Sequence, residues 1–202
     1  IFEKSEGLET ATYNQTILYY TDLAKRYPEI SIKAIGATDS GEPLHIVTLN
    51  MTSSGDDFQA LRANNRILLI NNGIHPGESD GIDATMMLYR DIVQGKIDAP
   101  KQTVIVTIPI YNVGGSLNRN SGTRTNQNGP KAYGFRGNAR NYDLNRDFIK
   151  SDTKNARAFA QIYHIVQPDV FIDNHVSNGA DYQYTLTHLF TQHNKLGGQL
   201  GD

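Results

Sequence analysis

The stretch Arg66-Ile67-Leu68-Leu69-Ile70-Asn71, running on through Asn72-Gly73-Ile74 to His75-Pro76-Gly77-Glu78, decides the fold. A continuous apolar run of strand length is the signature of a strand buried on both faces. After Glu78 the apolar spacing turns helical to about Gln94, and Thr103 to Ile110 is a second buried strand. Residues 153–166 read as a helix ended by Pro168, and Asp169 to Asn174 as a further strand. Working back, Thr12 and Gln15 form a capping-box pair ahead of a helix over residues 10–26, stopped before Pro28. Ile30 to Gly36 and Leu44 to Leu49 alternate apolar and polar residues around the turn signal Asp39-Ser40-Gly41, as a half-buried hairpin does. Tyr182 to Leu189 reads as a final strand. Alternating strands and helices predict a single α/β domain, with a mixed, mostly parallel sheet flanked by helices.

The chain of 202 residues is 38% hydrophobic and 20% charged, ordinary values for a globular protein. Its 19 basic and 21 acidic side chains leave a net charge of -2, which argues against nucleic acid as a partner. No segment approaches the roughly 20 apolar residues of a membrane span. The cysteine count is 0, which excludes disulfides, thiolate zinc sites and cysteine nucleophiles.

Chemistry concentrates at strand ends. His75 and Glu78 follow a central strand at its carboxyl end, where open α/β sheets place their sites. The Pro76-Gly77 turn can point both side chains the same way, and an imidazole nitrogen with a carboxylate oxygen suits zinc. The bland alternative is a first-turn helix carboxylate and a polar loop histidine. His175 directly follows the apolar strand at 170–172, and a distant third ligand of this kind completes a His/Glu/His zinc site with an open fourth position. His45, His164, His188 and His193 fit surface or core roles. Residues 111–147 form a long segment with little periodicity, and loops that long are usually functional or disordered. The segment closes on Arg136-Gly137-Asn138-Ala139-Arg140-Asn141-Tyr142-Asp143-Leu144-Asn145-Arg146-Asp147-Phe148. Its arginines could clamp a carboxylate or stabilise an oxyanion, or could merely pair with Asp143 and Asp147.

His75-x-x-Glu78, Asp143-x-Asn145-Arg146 and the distant His175, in that order, resemble the zinc carboxypeptidases of the carboxypeptidase A type, the M14 family. The resemblance runs from about Arg66 to His175. The family string Arg-x-Asn-x-x-Gly-x-Asp-Leu-Asn-Arg fits Arg136 to Arg146 without gaps, with Asn141 in place of glycine. The resemblance implies one zinc ion held by His75, Glu78 and His175, with Asp143 orienting His75. It implies that Asn145 and Arg146 hold the terminal carboxylate of a peptide substrate. Arg136, with Arg140 as the competing candidate, would polarise the scissile carbonyl. The reaction would be attack of metal-activated water on an amide.

Two departures accompany it. The family's general base is a glutamate on a strand well after the third ligand, whereas Glu78 is the last glutamate here and Asp181 and Asp202 are the only acids after His175. Ser177 also stands where an aromatic often follows the third ligand. The expectation is therefore a domain truncated at its C-terminus, residues 1–202 being its first part and inactive alone even with zinc bound. Related readings are an amidohydrolase of the aspartoacylase or succinylglutamate desuccinylase type, a cell-wall peptide amidase, or a non-catalytic binding module. The absence of an initiating methionine and of cysteine slightly favours an exported protein.

Overall fold

The computed structural model of the chain describes residues 1–52 and 55–201; Ser53, Ser54 and Asp202 lie outside the described residues. Helix α1 (Tyr13–Arg26) leads into strands β1 (Ile30–Ala37) and β2 (Pro43–Asn50), then the single-turn helix α2 (Phe58–Leu61) and β3 (Arg66–Asn71). Helix α3 (Asp80–Val93), β4 (Thr103–Ile108), the short helix α4 (Val113–Leu117), α5 (Lys154–Val166), β5 (Val170–Asp173) and the short helix α6 (His193–Leu196) follow. The capping box forms as the sequence predicts. The Gln15 N–H donates to Thr12 Oγ1 at 3.3 Å, and the Thr12 N–H donates to Gln15 Oε1 at 2.9 Å.

The sheet order is β1-β2-β4-β3-β5. β2 runs antiparallel to β1 and β4, while β3 lies parallel to both β4 and β5. Four of the five strands therefore point one way, which is the mixed, mostly parallel sheet expected. The apolar run in β3 is divided by the pleat. Ile67 and Leu69 join the core beneath α5, with Val104, Val106 and Ile162. Ile70 faces the other core, with Tyr20, Leu23, Met86, Tyr89 and Ile105 from α1, α3 and β4. Tyr89 closes that side by donating its hydroxyl proton, shared between the Val47 carbonyl at 3.0 Å and the Ile105 carbonyl at 3.1 Å.

Several expectations are corrected. β2 is buried on both faces rather than one, because Leu44 and Ile46 enter the core beneath α5 while Val47 and Leu49 enter the core beneath α1 and α3. β4 ends at Ile108, two residues early. The long segment carries α4 and a 3-10 turn at Leu144–Arg146. Tyr182 to Leu189 is not a strand: Tyr184, Leu186 and Leu189 are 73%, 80% and 95% exposed. Alternation makes a strand only where a neighbour takes its hydrogen bonds and a layer covers one face. Neither is available to that segment among the described residues.

Candidate functional site

β3, β4 and β5 point their carboxyl ends to one edge of the sheet, and the loops leaving them build the site. Gly73, at φ +65°, turns the chain out of β3. A turn with the Glu78 N–H donating to the His75 carbonyl at 2.8 Å then places Glu78 just before α3. His175 leaves β5 two residues after its end.

The ligand atoms of His75, Glu78 and His175 all lie within 4.8 Å of one another. His75 Nδ1 is 3.2 Å from Glu78 Oε1, and His175 Nδ1 is 3.1 Å from Glu78 Oε2. The far nitrogen of each ring meets a carboxylate: His75 Nε2 lies 3.0 Å from Asp143 Oδ1, and His175 Nε2 lies 3.0 Å from Asp173 Oδ2. With Nε2 of each ring turned to an acid, Nδ1 of each ring is the nitrogen aimed at the Glu78 carboxylate. Two imidazole nitrogens converging on a carboxylate make a site for a cation, a proton on His175 in the metal-free chain and a metal ion when one displaces it. Two imidazole nitrogens and one carboxylate form a donor set suited to zinc. The residues present therefore fit one zinc ion.

Charge in the metal-free chain agrees with that geometry. Burial alone would raise the Glu78 pKa, but hydrogen bonds from His175, His75 and the Val176 N–H hold it well below the usual carboxylate range. His175 is pushed up to about 9, first by Asp173 and then by Glu78, against desolvation. Burial likewise works against ionisation of Asp143, yet His75, Arg136 and the Asn145 N–H keep its pKa lowered.

A raised histidine pKa stabilises the metal-free fold fully below the ordinary value near 6.5. That contribution is lost as the pH climbs through about 9. Metal uptake must displace the His175 proton, so zinc affinity should rise about tenfold per pH unit across that window. Calorimetry in buffers of different ionisation enthalpy should show about one proton released per ion at pH 7. Asp173→Asn should weaken zinc binding about 10–100-fold at pH 9, where proton competition at His175 has fallen to about a factor of two and the loss of ring orientation dominates. Unchanged affinity at that pH would remove Asp173 from the site.

Arg136 reaches the same centre. Its Nε and Nη2 donate to Asp143 Oδ2 at 3.1 and 2.9 Å, and its Nη1 lies 3.4 Å from His75 Nδ1. The pairing with Asp143, the blander expectation, and the position beside the metal ligands thus hold together. Arg140 turns away, stacking over the Tyr142 ring at 4.9 Å and lying 3.9 Å from Asp39. Asn145 donates its N–H to Asp143 Oδ1 at 3.0 Å. Arg146 is exposed and donates to the Asn145 carbonyl at 2.8 Å, which leaves most of its guanidinium open. Asn141 has φ +62°, a conformation that favours glycine and that asparagine tolerates, so the departure from the string has a backbone reason. The Asn138 side chain fixes the loop by accepting from the N–H groups of Arg140 and Tyr142, each at 2.9 Å.

Sequence reasoning passed over two residues here. Asp173 shares a strand face with His175 through the two-residue period, a signal available in Asp173-Asn174-His175. Arg124 donates to Glu78 Oε1 at 3.0 Å from a stretch with no periodicity, where nothing local marks it.

A family model described as zinc carboxypeptidase matches residues 17–176. Among solved structures, the chain resembles a metallo-carboxypeptidase from Burkholderia cenocepacia at TM-score 0.63 and 18% identity, covering 86% of this chain and 43% of that one. A metallo-carboxypeptidase from Pseudomonas aeruginosa, in complex with (2-guanidinoethylmercapto)succinic acid, matches at TM-score 0.60 and 15% identity over 85% of this chain and 41% of its own. Bovine thrombin-activatable fibrinolysis inhibitor, in complex with tick carboxypeptidase inhibitor, matches at 0.62 and 15% over 84% of this chain and 61% of its own. At such identities the likeness is one of fold. The chain spans less than half the length of the two bacterial structures. No curated protein sequence matches it significantly.

Proposed function

This chain belongs to the zinc carboxypeptidase family, and from that premise we propose that the protein hydrolyses the C-terminal residue of peptides. The observation that carries the reading is the convergence of His75 Nδ1, His175 Nδ1 and the Glu78 carboxylate, with each Nε2 held by an acid. Zinc bound there would supply a Lewis acid that polarises a carbonyl and lowers the pKa of water. Asp143 and Asp173 keep the protons on the Nε2 atoms and so keep Nδ1 as the donor nitrogen of each ring. Arg136 sits where a guanidinium can stabilise negative charge developing on the scissile carbonyl oxygen. Asn145 and the open guanidinium of Arg146 bind the substrate's terminal carboxylate, a role that suits paired charge-assisted hydrogen bonds.

The test compares peptides with a free and an amidated C-terminus binding to the zinc-loaded protein. Arg146→Ala should weaken the free peptide about 10–100-fold, since hydrogen bonds to charged groups are worth about 1.5–3 kcal/mol. It should leave the amidated peptide unchanged. Equal losses for both would overturn the clamp, and wild-type binding indifferent to amidation would overturn the carboxypeptidase reading.

A further inference from the structure

Beside the metal ligands lies a cavity of about 380 Å³, within the range of small-ligand pockets. Its wall carries two guanidiniums, from Arg124 and Arg136, with hydroxyl and amide side chains from residues such as Thr123, Asn126 and Asn178. No carboxylate lines it among the described residues. The carboxylates that these arginines bond, Glu78 and Asp143, lie outside the wall.

Arg124 is built into this position. Its backbone N–H donates to the Tyr133 hydroxyl at 3.1 Å, its Nε donates to Gln127 Oε1 at 2.5 Å, and its Nη1 donates to Glu78 Oε1 at 3.0 Å. Gln127 in turn donates to the Ser177 carbonyl, which ties the loop to the segment after His175. The guanidinium needs glycine at 77, because a Cβ there would come within 2.7 Å of Arg124 Cδ. Nη2 makes no hydrogen bond to a described residue. A cation held rigidly beside a polar cavity, with one donor edge unused and no acid in the wall, is an arrangement for binding an anion.

We propose that this cavity is a subsite for a second carboxylate of the substrate, so that the protein selects acidic peptides. The proposal rests on the carboxypeptidase reading for its substrate class. Neither Asn145 nor Arg146 lines the cavity, so the group it takes is an acidic side chain rather than the terminal carboxylate.

The experiment measures binding of four N-acetylated peptides to the zinc-loaded full chain, with glutamate or glutamine at the internal positions and a free or amidated C-terminus. Glutamate peptides should bind at least about tenfold more tightly than their glutamine partners, the scale of one charge-assisted pair. Arg124→Gln should bring that ratio close to one while zinc content stays stoichiometric. Asn178 makes no hydrogen bond among the described residues, so Asn178→Asp adds a negative charge to the wall without removing a bond. It should cut or invert the ratio, and it serves as the test if Arg124→Gln fails to fold. A wild-type ratio near one overturns the subsite, even where the free C-terminus is preferred and the carboxypeptidase reading survives. A glutamate preference that ignores amidation supports the subsite and overturns the C-terminal reading. An Arg124→Gln loss equal for both peptide types overturns the proposal and leaves Arg124 only as a support for Glu78.

Discussion

Glu78→Ala should weaken zinc binding by about a hundredfold or more. Glu78 is 4% exposed and is the one anion among the three converging donors. Structural zinc sites are worth about 10–16 kcal/mol, so losing one ligand of a four-coordinate site costs at least about 3 kcal/mol, or roughly two orders of magnitude in affinity. The carboxylate also bonds His75, His175, Arg124 and the Val176 N–H, so the alanine takes one partner from each and leaves them to Asp143, Asp173 and Gln127, with the Val176 N–H losing its acceptor. Glu78→Gln keeps the shape and a neutral acceptor, and should retain the fold by circular dichroism while zinc affinity still falls. A zinc affinity for Glu78→Ala within about tenfold of wild type, measured by competition with a chelator, would sink the metal centre as drawn.

Gly115→Ala should be the most damaging single methyl in the chain. An added Cβ would strike the Phe135 carbonyl oxygen and come within 2.7 Å of Asn112 Nδ2 and 2.8 Å of the Gly137 carbonyl oxygen. These are backbone and buried groups that cannot step aside. The Phe135 N–H donates to the Gly115 carbonyl at 2.8 Å, and Asn112 Nδ2 holds the Arg136 carbonyl at 2.9 Å. The methyl therefore pushes on the strap that carries Arg136. Overpacking of this kind costs about 3 kcal/mol, equivalent to about 6–12 °C in Tm for a domain of this size. Gly122→Ala is the control, because a Cβ there has nothing within 4 Å and its backbone is not left-handed. A Gly115→Ala protein that melts with wild type would show that the strap is not pinned at this contact.

Much of this was legible in the sequence, for identifiable reasons. β3 announces itself because a strand covered on both faces must be apolar throughout its length, whereas the same apolar run in β5 lies at the sheet's edge with Val170, Phe171 and Ile172 exposed. α1 is fixed by local chemistry, since Thr12 and Gln15 satisfy each other's backbone without help from the rest of the fold. His75, Glu78 and His175 stand out because strand ends are where such sheets bring distant residues together. What stayed hidden depends on neighbours. Thr48 reads as a solvent-facing position in β2, yet it is 1% exposed because helices cover both faces of the sheet. Tyr182 to Leu189 has the period of a strand and no partner among the described residues. Arg124 is invisible because its meaning comes only from Glu78, which it reaches across 46 positions of sequence.

One consequence concerns how the chain is stapled. Glu78 grips His175 across 97 residues, and the Val176 N–H across 98, in a protein without cysteine. Closing a loop of that length in the unfolded chain is worth roughly 4–5 kcal/mol of entropy, the scale on which a long-range disulfide acts. An ion shared by these groups is a cross-link of the same reach, but one whose strength is set from outside. Each tenfold rise in free zinc above its dissociation constant adds about 1.4 kcal/mol to the folded state, and a chelator takes it away. Metal supply would then govern how long the fold lasts.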